Sequence, residues 1–123
     1  MKIAIPSHNR VDTLKSKTYQ LLLDRGFDED DIFIFTDNFD DYKDEFKNVI
    51  LSKDSITGKR NHIIEYFEEG EHIVEMDDDI DDIQTTKKGE TNESVMNLKE
   101  FYEDNFKMLD CGGMWGINST HNN

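Results

Sequence analysis

A chain of 123 residues, with 35% apolar and 34% charged residues, predicts one globular domain with a modest core. Its formal net charge of −14 repels phosphate backbones, which argues against nucleic-acid binding through a basic surface but does not exclude a nucleic-acid substrate. No apolar run is long enough to span a membrane, and the one cysteine, Cys111, leaves no internal disulfide, so we expect a cytoplasmic location.

Strand and helix patterns alternate along the chain. Short apolar runs predict strands at 2–6, 31–37, 48–52 and 72–76. Helical spacing and turn residues predict helices over 11–27, 41–47 and 57–70. Beyond them we expect a polar loop at 84–93, an amphipathic helix over 94–110 and the start of a further strand at 112–118.

This alternation, with strands that are apolar on both faces, predicts an α/β fold with three layers and a mainly parallel sheet flanked by helices. In open sheets of this kind, ligands bind beyond the carboxyl ends of the strands. Here those ends carry the segments "PSHNR", "TDN", "SKDSITGKRN" and "DDDID". We therefore expect the functional residues to lie together on that edge.

The fourth predicted strand runs into three consecutive aspartates, Asp77, Asp78 and Asp79. Adjacent carboxylates need a counter-charge to remain ionised together. If the strand continues, Asp77 and Asp79 project to one side and Asp78 points away. Hard oxygen ligands with open coordination positions suit Mg²⁺ or Mn²⁺ that bridges to phosphate oxygens. The alternative is a solvated acidic turn.

Two further segments on this edge have a functional and an ordinary interpretation. Lys59 and Arg60, in a helix that Thr57 could cap, either hold a diphosphate or pair with nearby acids. Asp37 either accepts hydrogen bonds from a base or ribose, or is a turn residue. The histidines show no shared metal-ligand spacing, and we expect Cys111 and Trp115 to be buried.

Four segments, in this order, resemble the GT-A nucleotide-sugar glycosyltransferases, whose fold is Rossmann-like. "IAIPSHNR" is similar to their first strand and loop, and "IFTDN" to their nucleoside-binding acidic position. "GKRNHII" resembles their Arg-Asn helix start, and "IVEMDDDI" their metal-binding D-x-D strand. The resemblance covers residues 1–83, and 94–117 more loosely. The most similar subgroup is the virus- and phage-type group linked to modified DNA bases.

The resemblance implies a metal-dependent glycosyltransferase, or its donor-binding half, that uses Mn²⁺ or Mg²⁺. It would transfer a sugar from a nucleotide sugar, usually UDP-linked, to an acceptor that the sequence does not identify. Asp77 and Asp79 are the implied metal ligands. The implied nucleotide-binding residues are Pro6, Ser7, Asn9, Arg10 and Asp37 at the nucleoside, Lys59, Arg60 and Asn61 near the ribose and diphosphate, and Asp77 and Asp78.

Members of this family continue well past the D-x-D strand, and that later half carries the acceptor site and, in inverting members, the catalytic base. We therefore expect residues 1–123 to form a single donor-binding domain that is incomplete at its C-terminus and could self-associate through exposed apolar surface. Two alternatives stay open. One is a nucleotide- or metal-binding module without transfer activity, and the other is a nucleotidyltransferase, although "PSHNR" lacks the glycine usual in that class.

Overall fold

The computed structural model describes residues 1–85 and 91–108. Four parallel strands form its central sheet, in the order β3-β2-β1-β4. They are β1 (Lys2–Pro6), β2 (Ile32–Thr36), β3 (Asn48–Leu51) and β4 (Ile73–Glu75). In the register, Ile3 lies opposite Ile32 on one side and Val74 on the other. The predicted α/β fold with a parallel sheet is confirmed.

Within the described ranges, five helices accompany this sheet. They are α1 (Val11–Ser16), α2 (Thr18–Asp24), α3 (Phe39–Tyr42), α4 (Ile56–Tyr66) and α5 (Leu98–Lys107). A 3-10 turn (Glu29–Asp31) precedes β2, and two short strands, β5 (Gln84–Thr85) and β6 (Glu93–Ser94), pair antiparallel to each other. None of these helices has the length and apolar character that crossing a membrane requires.

The side chains of the sheet alternate between two cores, which makes the three layers. On one face, Ile3 and Ile5 pack with Leu14 of α1, Leu22 of α2 and Tyr102 of α5. On the other face, a smaller core joins Ala4 and Phe35 to Ile63 of α4. Because residues of a strand alternate in direction, the apolar character of both faces of β1 and β2 is what places helices on both sides.

The helix predicted over 11–27 is in fact two helices, broken at Lys17, whose φ is −111° and ψ is −96°. Directly after the break, the buried Thr18 donates its hydroxyl to the carbonyl oxygen of Asp77 at 2.6 Å. The same hydroxyl accepts from the backbone N–H of Ile80 at 2.9 Å. The break therefore places one side chain where it holds both ends of the turn that follows β4.

Other boundaries also differ from the sequence prediction. Helix α4 is capped by Ser55, which accepts from the Gly58 N–H at 2.9 Å, rather than by Thr57. Helix α5 begins later than expected, because Asn97 accepts from the Glu100 N–H at 3.0 Å and caps it. The segment expected to be a loop at 84–93 contains β5 and the start of β6. The strand predicted at 112–118, with Cys111 and Trp115, lies outside the described residues.

Candidate functional site

An open cavity of about 390 Å³ lies at the carboxyl ends of β1 and β4, beside the start of α4. The loop after β1, the turn after β4 and the segment leading into α4 form its walls. Seven of the residues predicted for the site line it: Pro6, Ser7, Arg10, Lys59, Asp77, Asp78 and Asp79. The parallel sheet thus brings together residues from three separate parts of the sequence.

Asp78 is the most buried of the three aspartates, with a side chain that is 8% exposed. Its Oδ2 accepts from the Ser7 hydroxyl at 2.8 Å, and its Oδ1 lies 3.1 Å from Nη1 of Arg10. Because Ser7 gives its proton to Asp78, the Tyr42 hydroxyl donates to Ser7 at 2.7 Å and itself accepts from the Arg10 N–H at 2.9 Å. The prediction that Asp78 points away is wrong, because β4 ends at Glu75 and the chain turns at Asp78 and Asp79, so strand alternation does not continue.

Asp77 and Asp79 are more accessible, with side chains that are 70% and 48% exposed. Arg10 Nη2 lies 3.4 Å from Oδ2 of Asp79. On the other side, Arg60 Nε lies 3.1 Å from Oε1 of Glu75, and its Nη2 is 3.9 Å from Oδ1 of Asp77. Burial raises the pKa of the Glu75 carboxyl against the opposing attraction of Arg60. Two guanidinium groups therefore flank the aspartates.

Lys59 forms a buried ion pair beside the cavity, with a side chain that is only 2% exposed. Its Nζ lies 2.8 Å from Oδ1 of Asp37 and donates to the carbonyl oxygens of Lys53 at 2.6 Å and Asp54 at 2.9 Å. These three acceptors match the three protons of an ammonium group. Lys59 thus holds Asp37 and the loop before α4, and in this arrangement it has no proton to give a diphosphate.

Asp37 also binds His8, whose Nδ1 lies 2.8 Å from each carboxylate oxygen. Burial acts to raise the pKa of Asp37, but the hydrogen bonds from Lys59 and His8 outweigh it and lower the pKa to about 2. Asp37 is therefore an ionised acceptor at neutral pH. Next to it, Asn9 has a φ of +52°, and its N–H donates to Oδ1 of Asn38 at 2.9 Å.

Some predicted residues lie outside the cavity wall, and some wall residues were not predicted. Asn61 lines a second cavity, of about 570 Å³, beside β3. Asp37 and Arg60 do not line the first cavity themselves. They contact residues that do, Lys59 and Asp77 respectively. His8 and Asp54 line the wall and lie in segments that were predicted for this edge, but neither was predicted as a site residue. Tyr42 lies behind the wall and contacts it through Ser7. Their roles arise from contacts between distant loops that sequence spacing does not report.

The donor set at Asp77–Asp79 fits a divalent cation that is shared with a ligand. Among the described residues, no three His, Cys, Asp or Glu side chains are grouped so that they could hold a metal ion by themselves. Mg²⁺, however, is commonly held by one or two carboxylates together with waters and phosphate oxygens. Carboxylates that line a cavity large enough for a ligand match that pattern.

Comparison of this chain with protein-family models, curated proteins and solved structures gives no match. The resemblance to GT-A glycosyltransferases therefore stays a prediction from the sequence motifs. Inference about function rests on the cavity, its charges and its hydrogen bonds.

Proposed function

We propose that this chain is the donor-binding domain of a metal-dependent glycosyltransferase that takes a sugar from a UDP-linked donor. One observation supports this most strongly. The loop after β1 and the aspartates after β4 line a single cavity at the carboxyl edge of a parallel sheet. This is the edge where open α/β sheets bind their ligands.

In this proposal, the nucleoside lies against the loop after β1 and Asp37. A carboxylate has about four lone-pair sites, and Lys59 and His8 use only part of that capacity at Asp37. The ionised oxygens can still accept from an N–H of the base or a hydroxyl of the ribose. Pro6 and Ser7 supply the wall beside it, whereas Asn9 does not line this cavity and Asn61 lines the neighbouring one.

The diphosphate then lies between the aspartates and the two arginines. Arg10 and Arg60 are more than 40% exposed at this edge, and guanidinium groups bind phosphate oxygens with two parallel hydrogen bonds. The aspartates at 77–79 would hold Mn²⁺ or Mg²⁺ there. When bound, such a cation supplies Lewis-acid stabilisation of the departing diphosphate.

A thermal-shift panel tests the proposal with UDP-sugars, UDP and nucleoside triphosphates, each with Mn²⁺ and with chelator. We expect UDP and UDP-sugars with Mn²⁺ to raise the melting temperature, because a ligand at a hundredfold excess over its Kd adds about 2.7 kcal/mol to stability. Asp79→Asn should remove the Mn²⁺-dependent part of that gain.

The matched control is Asp44→Asn, which makes the same chemical change at an exposed aspartate outside the cavity wall. It should keep the wild-type response. Stabilisation by nucleoside triphosphates but not by UDP-sugars would point instead to nucleotidyl transfer. A wild type that no member of the panel stabilises contradicts the proposal.

A further inference from the structure

One guanidinium group forms ion pairs with two of the three aspartates. Arg10 places Nη1 at 3.1 Å from Oδ1 of Asp78 and Nη2 at 3.4 Å from Oδ2 of Asp79. The two carboxylates thus converge on the same positive charge, at the wall of the cavity. Arg60 is placed differently, since its shorter contact is with Glu75 and it reaches Asp77 only at 3.9 Å.

This contact places a positive charge beside the Asp78 carboxylate. Its carboxylate is nearly buried, and besides Arg10 it is held by the neutral Ser7 hydroxyl. Taking a carboxylate out of water costs free energy that a neighbouring cation and hydrogen bonds offset. The Arg10 side chain is 46% exposed and sits on a flexible stem, so it can leave if another cation takes over its role.

A divalent cation at these oxygens and the Arg10 guanidinium repel each other, because both are positive and both would bind the same two carboxylates. We propose that Arg10 is the resident counter-cation of Asp78 and Asp79, that a divalent cation competes with it for these carboxylates, and that the displaced guanidinium then binds the donor diphosphate. This inference rests on the proposed function. It makes Asp78 a partner of the cation and Arg10 the residue that links cation binding to diphosphate binding.

The test measures Mn²⁺ affinity of the full chain without nucleotide, by electron paramagnetic resonance of free Mn²⁺. Arg10→Gln should bind Mn²⁺ about fivefold more tightly than the wild type, which corresponds to the upper range of a partly exposed ion pair. Lys17→Gln is the control. Lys17 pairs with Asp81 at 3.5 Å, outside the cavity wall. Its substitution also removes one positive charge near the aspartates, but the Mn²⁺ affinity should change less than twofold.

A second measurement separates competition from a general charge effect. With Mn²⁺ saturating, Arg10→Gln should bind UDP more weakly than the wild type, so the two affinities move in opposite directions. Arg10→Lys keeps the charge but lacks the fork that bridges two carboxylates. We expect its Mn²⁺ affinity to fall between those of the wild type and Arg10→Gln.

The wild type provides a check that needs no variant. On titration with Mg²⁺, the side-chain N–H resonance of Arg10 should shift, while that of Arg25, which donates to Asp82 and to the Val95 carbonyl, should not. This inference alone is overturned if the wild type binds Mn²⁺ and Arg10→Gln binds it with the same or weaker affinity. It is also overturned if the Arg10 resonance does not shift. A wild type that binds Mn²⁺ only when UDP is present also overturns this inference alone. A wild type that binds no Mn²⁺ with or without UDP overturns it together with the proposed function.

Discussion

At the scale of single residues, the strongest electrostatic feature is the pair formed by Asp37 and Lys59. Lys59 is buried and makes all its hydrogen bonds to Asp37 and two backbone carbonyls. Removing one partner from such a pair leaves an uncompensated buried charge, which costs more than the pair itself contributes. The pair therefore fixes Asp37 in its ionised form and anchors the loop that leads into α4.

We predict that Asp37→Asn destabilises the protein by about 3 kcal/mol at pH 7, because the Lys59 ammonium loses its counter-ion. The pKa of Asp37 is about 2 in the folded protein, against an ordinary value of 3.8 for an aspartate in the unfolded chain. The ionised carboxylate therefore adds fully to the free energy of unfolding above about pH 4, and this contribution is lost as the pH falls toward 2. In urea unfolding, the difference in the free energy of unfolding between the wild type and Asp37→Asn should be about 1 kcal/mol smaller at pH 3 than at pH 7.

Asp44→Asn is again the control, and its difference from the wild type should show no comparable narrowing. If the difference in the free energy of unfolding between the wild type and Asp37→Asn stays constant from pH 7 to pH 3, Asp37 does not have the lowered pKa that its contacts with Lys59 and His8 imply.

At the scale of elements, the break between α1 and α2 matters most for the site. Nothing in the local sequence signals it, because Lys17 and Thr18 are both compatible with a continuous helix. The cause is tertiary: the Thr18 hydroxyl bonds to the backbone of Asp77 and Ile80, far along the chain. A helix that is distant in sequence thus holds the turn that carries the aspartates.

We predict that Thr18→Val destabilises the protein by about 2 kcal/mol in urea unfolding. The change keeps the volume of the side chain but leaves the Asp77 carbonyl and the Ile80 N–H without their partner. Mn²⁺ binding should also weaken, because the aspartate turn loses its anchor. Thr57→Val, at an exposed position of α4, should change stability by less than 0.5 kcal/mol. Equal stability of the two variants would show that the anchor contributes nothing.

The four strands could be predicted from the sequence, because each is formed by a local apolar pattern. The four strands are apolar runs bounded by turn residues, and the structure has them within one residue or so of the predicted bounds. Their parallel order also predicts that the loops after β1 and β4 share an edge, and these loops do line one cavity. The direction of Asp78 could not be predicted in this way, because it depends on where the strand ends and on Ser7 and Arg10.

At the scale of the whole molecule, charge sets the condition for ligand binding. A net charge of −14 opposes any anionic ligand, and UDP is an anion. The Debye length is about 8 Å at physiological ionic strength, so most of the exposed acidic residues are screened from the cavity. The aspartates at 77–79, which line the cavity itself, are not. In the proposed function, a diphosphate can therefore bind only if these aspartates are neutralised.

The sheet is also covered unequally on its two faces. Among the described residues, α4 is the one helix on the face of the smaller core, and its Ile64 is largely exposed. Exposed apolar side chains can drive association. Self-association through exposed apolar surface stays a prediction, which the dependence of the sedimentation coefficient on protein concentration would test.

The central claim, that the aspartate turn binds a diphosphate through a divalent cation, is tested most directly by titration calorimetry of UDP into the wild-type chain. One titration contains Mn²⁺ and the other contains excess chelator. We predict that UDP binds at least about tenfold more tightly with Mn²⁺, a difference of about 1.4 kcal/mol, and that Asp79→Asn shows the weaker affinity under both conditions. Equal affinity of the wild type for UDP with Mn²⁺ and with chelator would contradict the claim.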